Sequence, residues 1–452
     1  MMSTSKTISE FLSQEYRDFS LYTIENRAIP SVIDGFKPTH RKIIFISNGI
    51  WKTGSEKPLK VFQLAGKVAS DAFYHHGNMS LESSIVTMAQ SFKNNLPLLE
   101  EIGQFGSLRS PEPAAARYIG TKLNKNFGLL YKDFELLTYK EEEGESIEPY
   151  FFLPIVPTVL INGSSGIAVG FSSNILNRNP IDIVNSCESI LRGEKISDIK
   201  PFNPFFNGDY IRDVDNPKKW FIRGKVQVVN TTTVKITDLP PSMTFEKYET
   251  ILDSLVDNKS IVSYEDNCKD NIDFTIKFTR ESLSQINEDK LVRLLKLEET
   301  ETEIFTTLDE TGKLKIFEKD SDIIKYFVDF RLNYYFKRKE YLLEKLKSEL
   351  KLLSNRGRFI KAILDGKIEV KNTPKEEIIK SIEIFGLEKM DGSYDYLLRM
   401  PIWSLTKEVF EKLKMDYTNK KVEIENLEKV DPKDMYLSDL SELKKIILKK
   451  IS

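Results

Sequence analysis

Two apolar seams late in the chain constrain its fold more than any other pattern. Leu342, Leu346, Leu350 and Leu353 recur at spacings of 4, 4 and 3 on a charged stretch, and Val409, Leu413, Tyr417, Ile424 and Leu427 form a second seam further on. Such spacing marks long helices that each bury one stripe. Two of them joined by a compact insert, at about residues 360–403, predict an antiparallel coiled coil with a globular tip. The preceding regions read differently. Ile8, Phe11, Leu12, Tyr16, Phe19 and Tyr22 predict a helical arm. Ile43-Ile44-Phe45, then Val61, Leu64, Ala65, Val68 and Ala69, then Leu81, Ile85, Met88 and Phe92 predict three short amphipathic helices. Pro58 and Gly77-Asn78 separate these helices, and an extended loop follows from Gly103 to Pro113. After about Pro149, alternation in Val226–Ile236 and Phe274–Phe278 predicts strands around a helix at Phe245–Val256. The expected architecture is α+β and multidomain, divided at residues 1–25, 26–148, 149–320 and 321–452.

No stretch approaches the ~18 apolar residues needed to span a bilayer, and the first residues lack a hydrophobic leader core. A cytoplasmic chain without membrane contact is the expectation. Cys187 and Cys268 lie far apart, outside any zinc-ligand spacing, and read as free thiols. The net charge is −2, but its distribution is uneven. Between Phe36 and Ser80 seven basic residues (Lys37, Arg41, Lys42, Lys52, Lys57, Lys60, Lys67) face two acids (Glu56, Asp71). Between Asp133 and Glu148 seven acids face one lysine. A basic patch on a near-neutral body suits local binding of a nucleic-acid backbone, weakening with salt. A solvated charged face is the plain alternative for either run.

The most chemically suggestive stretch is Ala115-Ala116-Arg117-Tyr118. It follows the glycine-punctuated turn Gly103-Gln104-Phe105-Gly106-Ser107 and the basic stretch that holds all three histidines. A tyrosine beside an arginine there is what attack on a phosphodiester needs: a phenol as nucleophile and a guanidinium to steady the phosphate. A phenol is almost wholly protonated at neutral pH, so nearby cations are the means of ionising it. An Arg-Tyr pair taken alone carries no signal, because most such tyrosines are half-buried packing residues.

The surroundings supply the signal. Arg27 to Lys42, reading RAIPSVIDGFKPTHRK, resembles the R-x-[IL]-P-x-x-x-D-G-[LF]-K-P-x-x-R-[RK] segment of type IIA DNA topoisomerases. Tyr74-His75-His76-Gly77, Met88-Ala89-Gln90, Gly103 to Gly106 and Asn162 to Gly170 (NGSSGIAVG) are similar to that family's further blocks, in its order. Leu239-Pro240-Pro241 and Ile402 to Glu408 extend the resemblance over nearly the whole chain.

The resemblance implies a winged-helix DNA-cleavage domain, a mixed α/β tower, and an antiparallel coiled coil whose globular tip dimerises. It implies that two Tyr118 residues cut opposite strands of double-stranded DNA and become linked to the 5′ ends, so that a second duplex can pass. Arg117, Arg41 and His76 are then the expected catalytic companions, with Arg41 and His76 reaching into the partner protomer's half-site. Arg27 and Lys37 are expected to hold flanking phosphates, and Lys42 and Lys67 to belong to the DNA-binding basic patch. His75 or His76 would donate to a non-bridging oxygen, a choice the sequence leaves open. Ile167 occupies the family's intercalating position, where an apolar wedge unstacks bases and bends the duplex.

No phosphate loop of the G-x-x-x-x-G-K-[ST] type, no ATP lid and no E-G-D-S-A or D-x-D metal block is present in the sequence. The resemblance therefore places ATP and Mg²⁺ on a separate ATPase and metal-binding subunit. The chain starts where bacterial members start, its Tyr74–Leu81 block looks more eukaryotic, and it ends just beyond the second seam; the combination resembles the T-even-type bacteriophage branch of the family. That branch implies host-cytoplasmic residence, no DNA-wrapping propeller, and relaxation rather than introduction of supercoils. Met79 and Ser83 stand where bacterial members carry quinolone-contacting residues, so a weak quinolone response is expected. Two other readings compete: a winged-helix protein that bends DNA without cutting it, and a tyrosine recombinase. The second suits Tyr118 poorly, since a recombinase tyrosine lies near the C-terminal end.

Overall fold

The computed structural model describes residues 7–52, 57–269, 271–390 and 392–451. Residues 1–6 of the expected arm, and Glu56 in the basic stretch, lie outside the described residues. The chain is mixed α/β and divides into two compact units, residues 1–331 with 439–452, and residues 332–438. No helix among the described residues is long and apolar enough to cross a membrane.

In the first unit the arm is a run of short α- and π-helical segments from Ile8 to Ala28. Three helices follow, Pro38–Ile50, Val61–Asp71 and Asn78–Ala89, packed on one another. Pro38 occupies the first turn, where its missing N–H is no loss. Val61, Leu64, Ala65 and Val68 form one fully buried stripe, and Leu81, Ile85 and Met88 another. Beyond them, Tyr139–Glu142 and Glu145–Pro149 form an antiparallel hairpin.

The rest of this unit is built on antiparallel sheets. One has the strand order Ser263–Asp266, Phe274–Lys277, Thr233–Asp238, Lys225–Val228. Alternation turns Val234, Ile236, Phe274 and Ile276 inward against Tyr248 and Leu252 of the helix Phe245–Asp257. A three-stranded sheet orders Glu298–Thr302, Lys219–Arg223 and Asp209–Arg212. A buried ionic knot ties this region together. The Arg178 guanidinium donates to Glu303 through two nitrogens at 2.9 and 2.8 Å and to Asp320 at 3.1 Å, while the Trp220 indole N–H donates to Glu303 at 2.9 Å.

In the second unit, parts of the long helices Asp320–Leu364 and Lys407–Lys429 lie side by side. Lys339 donates to the Glu428 and Val430 carbonyls, and Lys420 pairs with Glu349 at 3.0 Å, so the two helices run antiparallel. The sequence seams face this contact, with Leu346 and Ile424 buried. The segment between them has its own core of Phe359, Ala362, Ile368, Ile382, Leu387, Tyr394 and Leu397. Ile384 and Trp403 remain largely exposed.

Candidate functional site

Two of the motif blocks, far apart in sequence, meet at one loop. The Gln90 amide donates to the carbonyls of Phe105 (2.7 Å) and Pro111 (3.3 Å). Arg109 is buried and donates to Asp238 (2.7 Å) and to the Leu239 and Pro240 carbonyls (2.6 and 2.7 Å), so the Leu-Pro-Pro block anchors the same loop. Each buried carbonyl must find a donor or cost free energy, and these two side chains supply them.

The loop delivers Tyr118. Leu59–Lys60 pairs antiparallel with Gly120–Thr121, and Ile102 bridges Gly120 from the other side. Lys60 donates its ammonium to the Tyr118 carbonyl at 2.7 Å. The side chain is 67% exposed, and the Arg117 guanidinium lies 5.1 Å from the ring centroid. A tyrosine fixed through its backbone, with its phenol in solvent beside a cation, is placed to meet a phosphate.

A second cluster forms elsewhere in the first unit. Exposed Arg27 ends the arm, and His76 Nε2 is hydrogen-bonded to the Tyr22 hydroxyl at 2.6 Å. Burial, then the charges of Arg27 and His75, hold the His76 imidazole below its ordinary range. His75 pairs with Glu142 at 3.5 Å. The Lys37 ammonium donates to the Ser165 carbonyl at 2.7 Å and is shifted down by burial. That carbonyl belongs to the hairpin Ser164–Ile167/Ser172–Ile175, whose Ile167 is 87% exposed. A Cβ at Gly166 would collide with the Ala28 carbonyl, so only glycine lets this hairpin lie against the arm. Among the described residues no hydrogen bond, ion pair or ring contact joins Tyr118 to Arg27, Lys37 or His76.

Two of the expected DNA contacts are ion-paired within the chain. Arg41 is 5% exposed, with Nε and Nη2 donating to Asp34 at 2.8 and 3.0 Å, and so ties the loop from within the chain. Asp34 also accepts the backbone N–H groups of Phe36 and Phe152, both at 3.0 Å. The chain turns there through Gly35 at φ +72°, with Val159 too close for a side chain. Lys42 is turned from solvent by its ion pair with buried Glu148 at 3.0 Å and by donation to the Ala72 carbonyl. Lys67 is exposed on its helix. Sequence reasoning missed Lys60 as the grip on Tyr118, although it stood in the basic stretch, and read Tyr22 only as an apolar position.

His40 sits edge-on to Phe36, and burial, with the cations Lys37 and Arg41, pushes its imidazole down to about 3. In the unfolded chain histidine binds its proton near 6.5. The contribution to stability is therefore whole above about pH 6.5 and falls as pH drops toward 3, by up to about 1.4 kcal/mol per unit. Between about pH 6.5 and 4.5 the wild type is expected to lose more melting temperature than His40→Gln. Parallel losses in calorimetry would contradict this.

Among the described residues no group of three or more His, Cys, Asp or Glu side chains could hold a metal ion.

The A-subunit family of DNA gyrase/topoisomerase IV matches residues 27–443. The DNA topoisomerase medium subunit of Enterobacteria phage T4 is 33% identical over 450 residues, covering 98% of this chain and 100% of that protein. The mitochondrial DNA topoisomerase 2 of Dictyostelium discoideum is 36% identical over 462 residues, covering 98% of this chain and 35% of that one. This chain thus spans about a third of that relative's length. The crystal structure of the Plasmodium falciparum topoisomerase II DNA-binding, cleavage and re-ligation domain matches with a TM-score of 0.84 at 32% identity. That match covers 97% of this chain and 64% of the solved one.

Proposed function

Because the chain belongs to the A-subunit family of DNA gyrase/topoisomerase IV, we propose that it is the strand-cutting and resealing subunit of an ATP-dependent type II DNA topoisomerase. The Tyr118 oxygen attacks a backbone phosphorus, forming a phosphotyrosyl ester to the 5′ end while the bond to the 3′ oxygen breaks. The phenolic proton is given up and the 3′ oxygen takes one. Reversal reseals the strand with no outside energy for the bond itself, because the ester conserves it. Arg117 steadies the phosphate, and Lys60 fixes the nucleophile's backbone. Arg27, Lys37 and His76 form the second half of the site.

The single observation that carries this reading is the solvent-facing Tyr118 beside Arg117 on a loop pinned from both sides. The lack of contact between Tyr118 and the Arg27–His76 cluster within one chain supports a site completed across a homodimer. In that assembly residues 26–148 act as the winged-helix cleavage domain after the arm at 1–25. Residues 149–320 act as the tower, and 321–452 as coiled coil and exit gate. ATP and Mg²⁺ are held by a separate subunit, and relaxation of supercoils in a host cytoplasm is the outcome. Arg41 and Lys42 serve as scaffolding for the Asp34 loop and the acidic hairpin. The non-cutting DNA-bending reading has no support among the comparisons.

The test is detergent trapping: the chain, its ATPase and metal-binding subunit, Mg²⁺ and supercoiled plasmid should yield linear DNA bound to protein. Intact plasmid under all conditions would overturn the proposal. Ile167 tests the wedge separately. Unstacking a base step costs a few kcal/mol, so Ile167→Ala should reduce DNA bending measured by energy transfer and lower cleavage by about tenfold or more. An unchanged bend would mean that Ile167 is no wedge.

A further inference from the structure

We infer that Tyr22, on the N-terminal arm, is a positioning residue for strand cleavage: its hydroxyl fixes the His76 ring so that Nδ1–H faces the phosphate. This rests on the function proposed above. The Tyr22 oxygen lies 2.6 Å from His76 Nε2, and the two rings meet at 61° with centroids 6.1 Å apart. Tyr74 also meets the imidazole edge-on, at 5.3 Å, with its own hydroxyl donating to Ser80. His76 is thus the one site histidine held by a neutral donor. His75 is instead drawn toward the acidic hairpin by Glu142.

The tautomer follows from which group donates. Burial first, and then the nearby Arg27 and His75, lower the imidazole's pKa and favour its neutral form. A neutral imidazole has one acceptor and one donor nitrogen. The phenol is the better acid of the pair, so it donates to Nε2, and the ring proton resides on Nδ1. That leaves Nδ1–H as the donor for a non-bridging phosphate oxygen. An orienting partner on one ring nitrogen setting the role of the other is how histidine sites are commonly fixed. The arm thereby becomes part of the reaction site, although by periodicity it reads only as a helix with an apolar stripe.

The test uses the full chain labelled with ¹⁵N in its histidine rings, of which there are three; a His76→Gln variant identifies the signal. At neutral pH the wild type should show His76 with an unprotonated, hydrogen-bonded Nε2 and a protonated Nδ1. Tyr22→Phe, which removes one oxygen from a 40% exposed side chain, should shift the ring toward Nε2–H. It should also slow single-turnover cleavage in the complete complex by about tenfold with DNA affinity unchanged. An unchanged tautomer overturns the contact, and a shifted tautomer with the wild-type rate overturns the positioning role. If the wild-type complex forms no Tyr118 adduct, the proposed function fails and this role with it. A normal wild-type adduct beside an unaffected Tyr22→Phe overturns the role of Tyr22 alone.

Discussion

Tyr118→Phe is expected to abolish the covalent protein–DNA adduct while leaving DNA affinity largely intact. The substitution removes only the phenolic oxygen from a ring that is already 67% exposed, so neither folding nor packing changes. The loop is held by Gln90, Arg109 and Lys60 through backbone carbonyls, none of which involves the hydroxyl. DNA remains bound because cations elsewhere supply the backbone contacts. What is lost is the bond-forming atom itself. When a nucleophile of this kind is removed, the residual rate falls by at least ~10³-fold, since water is a poor substitute. Gel-shift and detergent-trapping assays on the same preparation separate the two quantities. Loss of affinity along with cleavage would mean that Tyr118 is a binding residue. An adduct that survives would point to another nucleophile, and a protein that never forms one fits the DNA-bending reading.

The second large effect lies in the buried pair beneath the site. Asp34→Ala is expected to destabilise the first unit by about 3–5 kcal/mol, because it leaves the buried Arg41 guanidinium without its counter-charge. Asp34 is fully buried and accepts four hydrogen bonds, two from Arg41 and two from the Phe36 and Phe152 amides. The double variant Asp34→Ala/Arg41→Met should recover much of the loss, since removing both charges avoids the unpaired one. About 1–3 kcal/mol should persist for each backbone N–H left buried without an acceptor. Urea unfolding of the four proteins of the cycle measures this. If the double variant is no more stable than Asp34→Ala, then Arg41 does not depend on Asp34, and its place as scaffolding is lost.

These two residues also show what a sequence discloses. Tyr118 stands out in the sequence because its signal is local: a short glycine-marked loop ending in Arg-Tyr, flanked by blocks whose order is itself informative. The helices at Pro38–Ile50, Val61–Asp71 and Asn78–Ala89 were legible for a similar reason, since burial of one face writes a period into the chain. Arg41 was not. Its charge announced a polar role, but whether an arginine meets solvent, a phosphate or a buried aspartate depends on packing that no period encodes.

Lys42 makes the same point at longer range. The basic stretch and the acidic run near residue 140 read as two independent charged faces, whereas Lys42 pairs with Glu148 and His75 with Glu142. The Lys42 charge, counted in the basic patch, is thus neutralised within the molecule. The Arg178–Glu303–Asp320 knot was equally silent in sequence, because its members are more than a hundred residues from one another or belong to different elements. The Tyr22 hydroxyl was overlooked because an aromatic residue on a helical stripe is counted for its ring.

The most direct measurement is identification of the amino acid that carries DNA after cleavage. The chain, mixed with its ATPase and metal-binding partner, Mg²⁺ and duplex DNA, is denatured during turnover, digested with nuclease and trypsin, and read by mass spectrometry. A nucleotide is expected on the peptide that begins at Tyr118, after tryptic cleavage at Arg117, attached through its 5′ phosphate. A nucleotide on any other residue, or an unmodified Tyr118 peptide in a preparation that has cut its DNA, would contradict it.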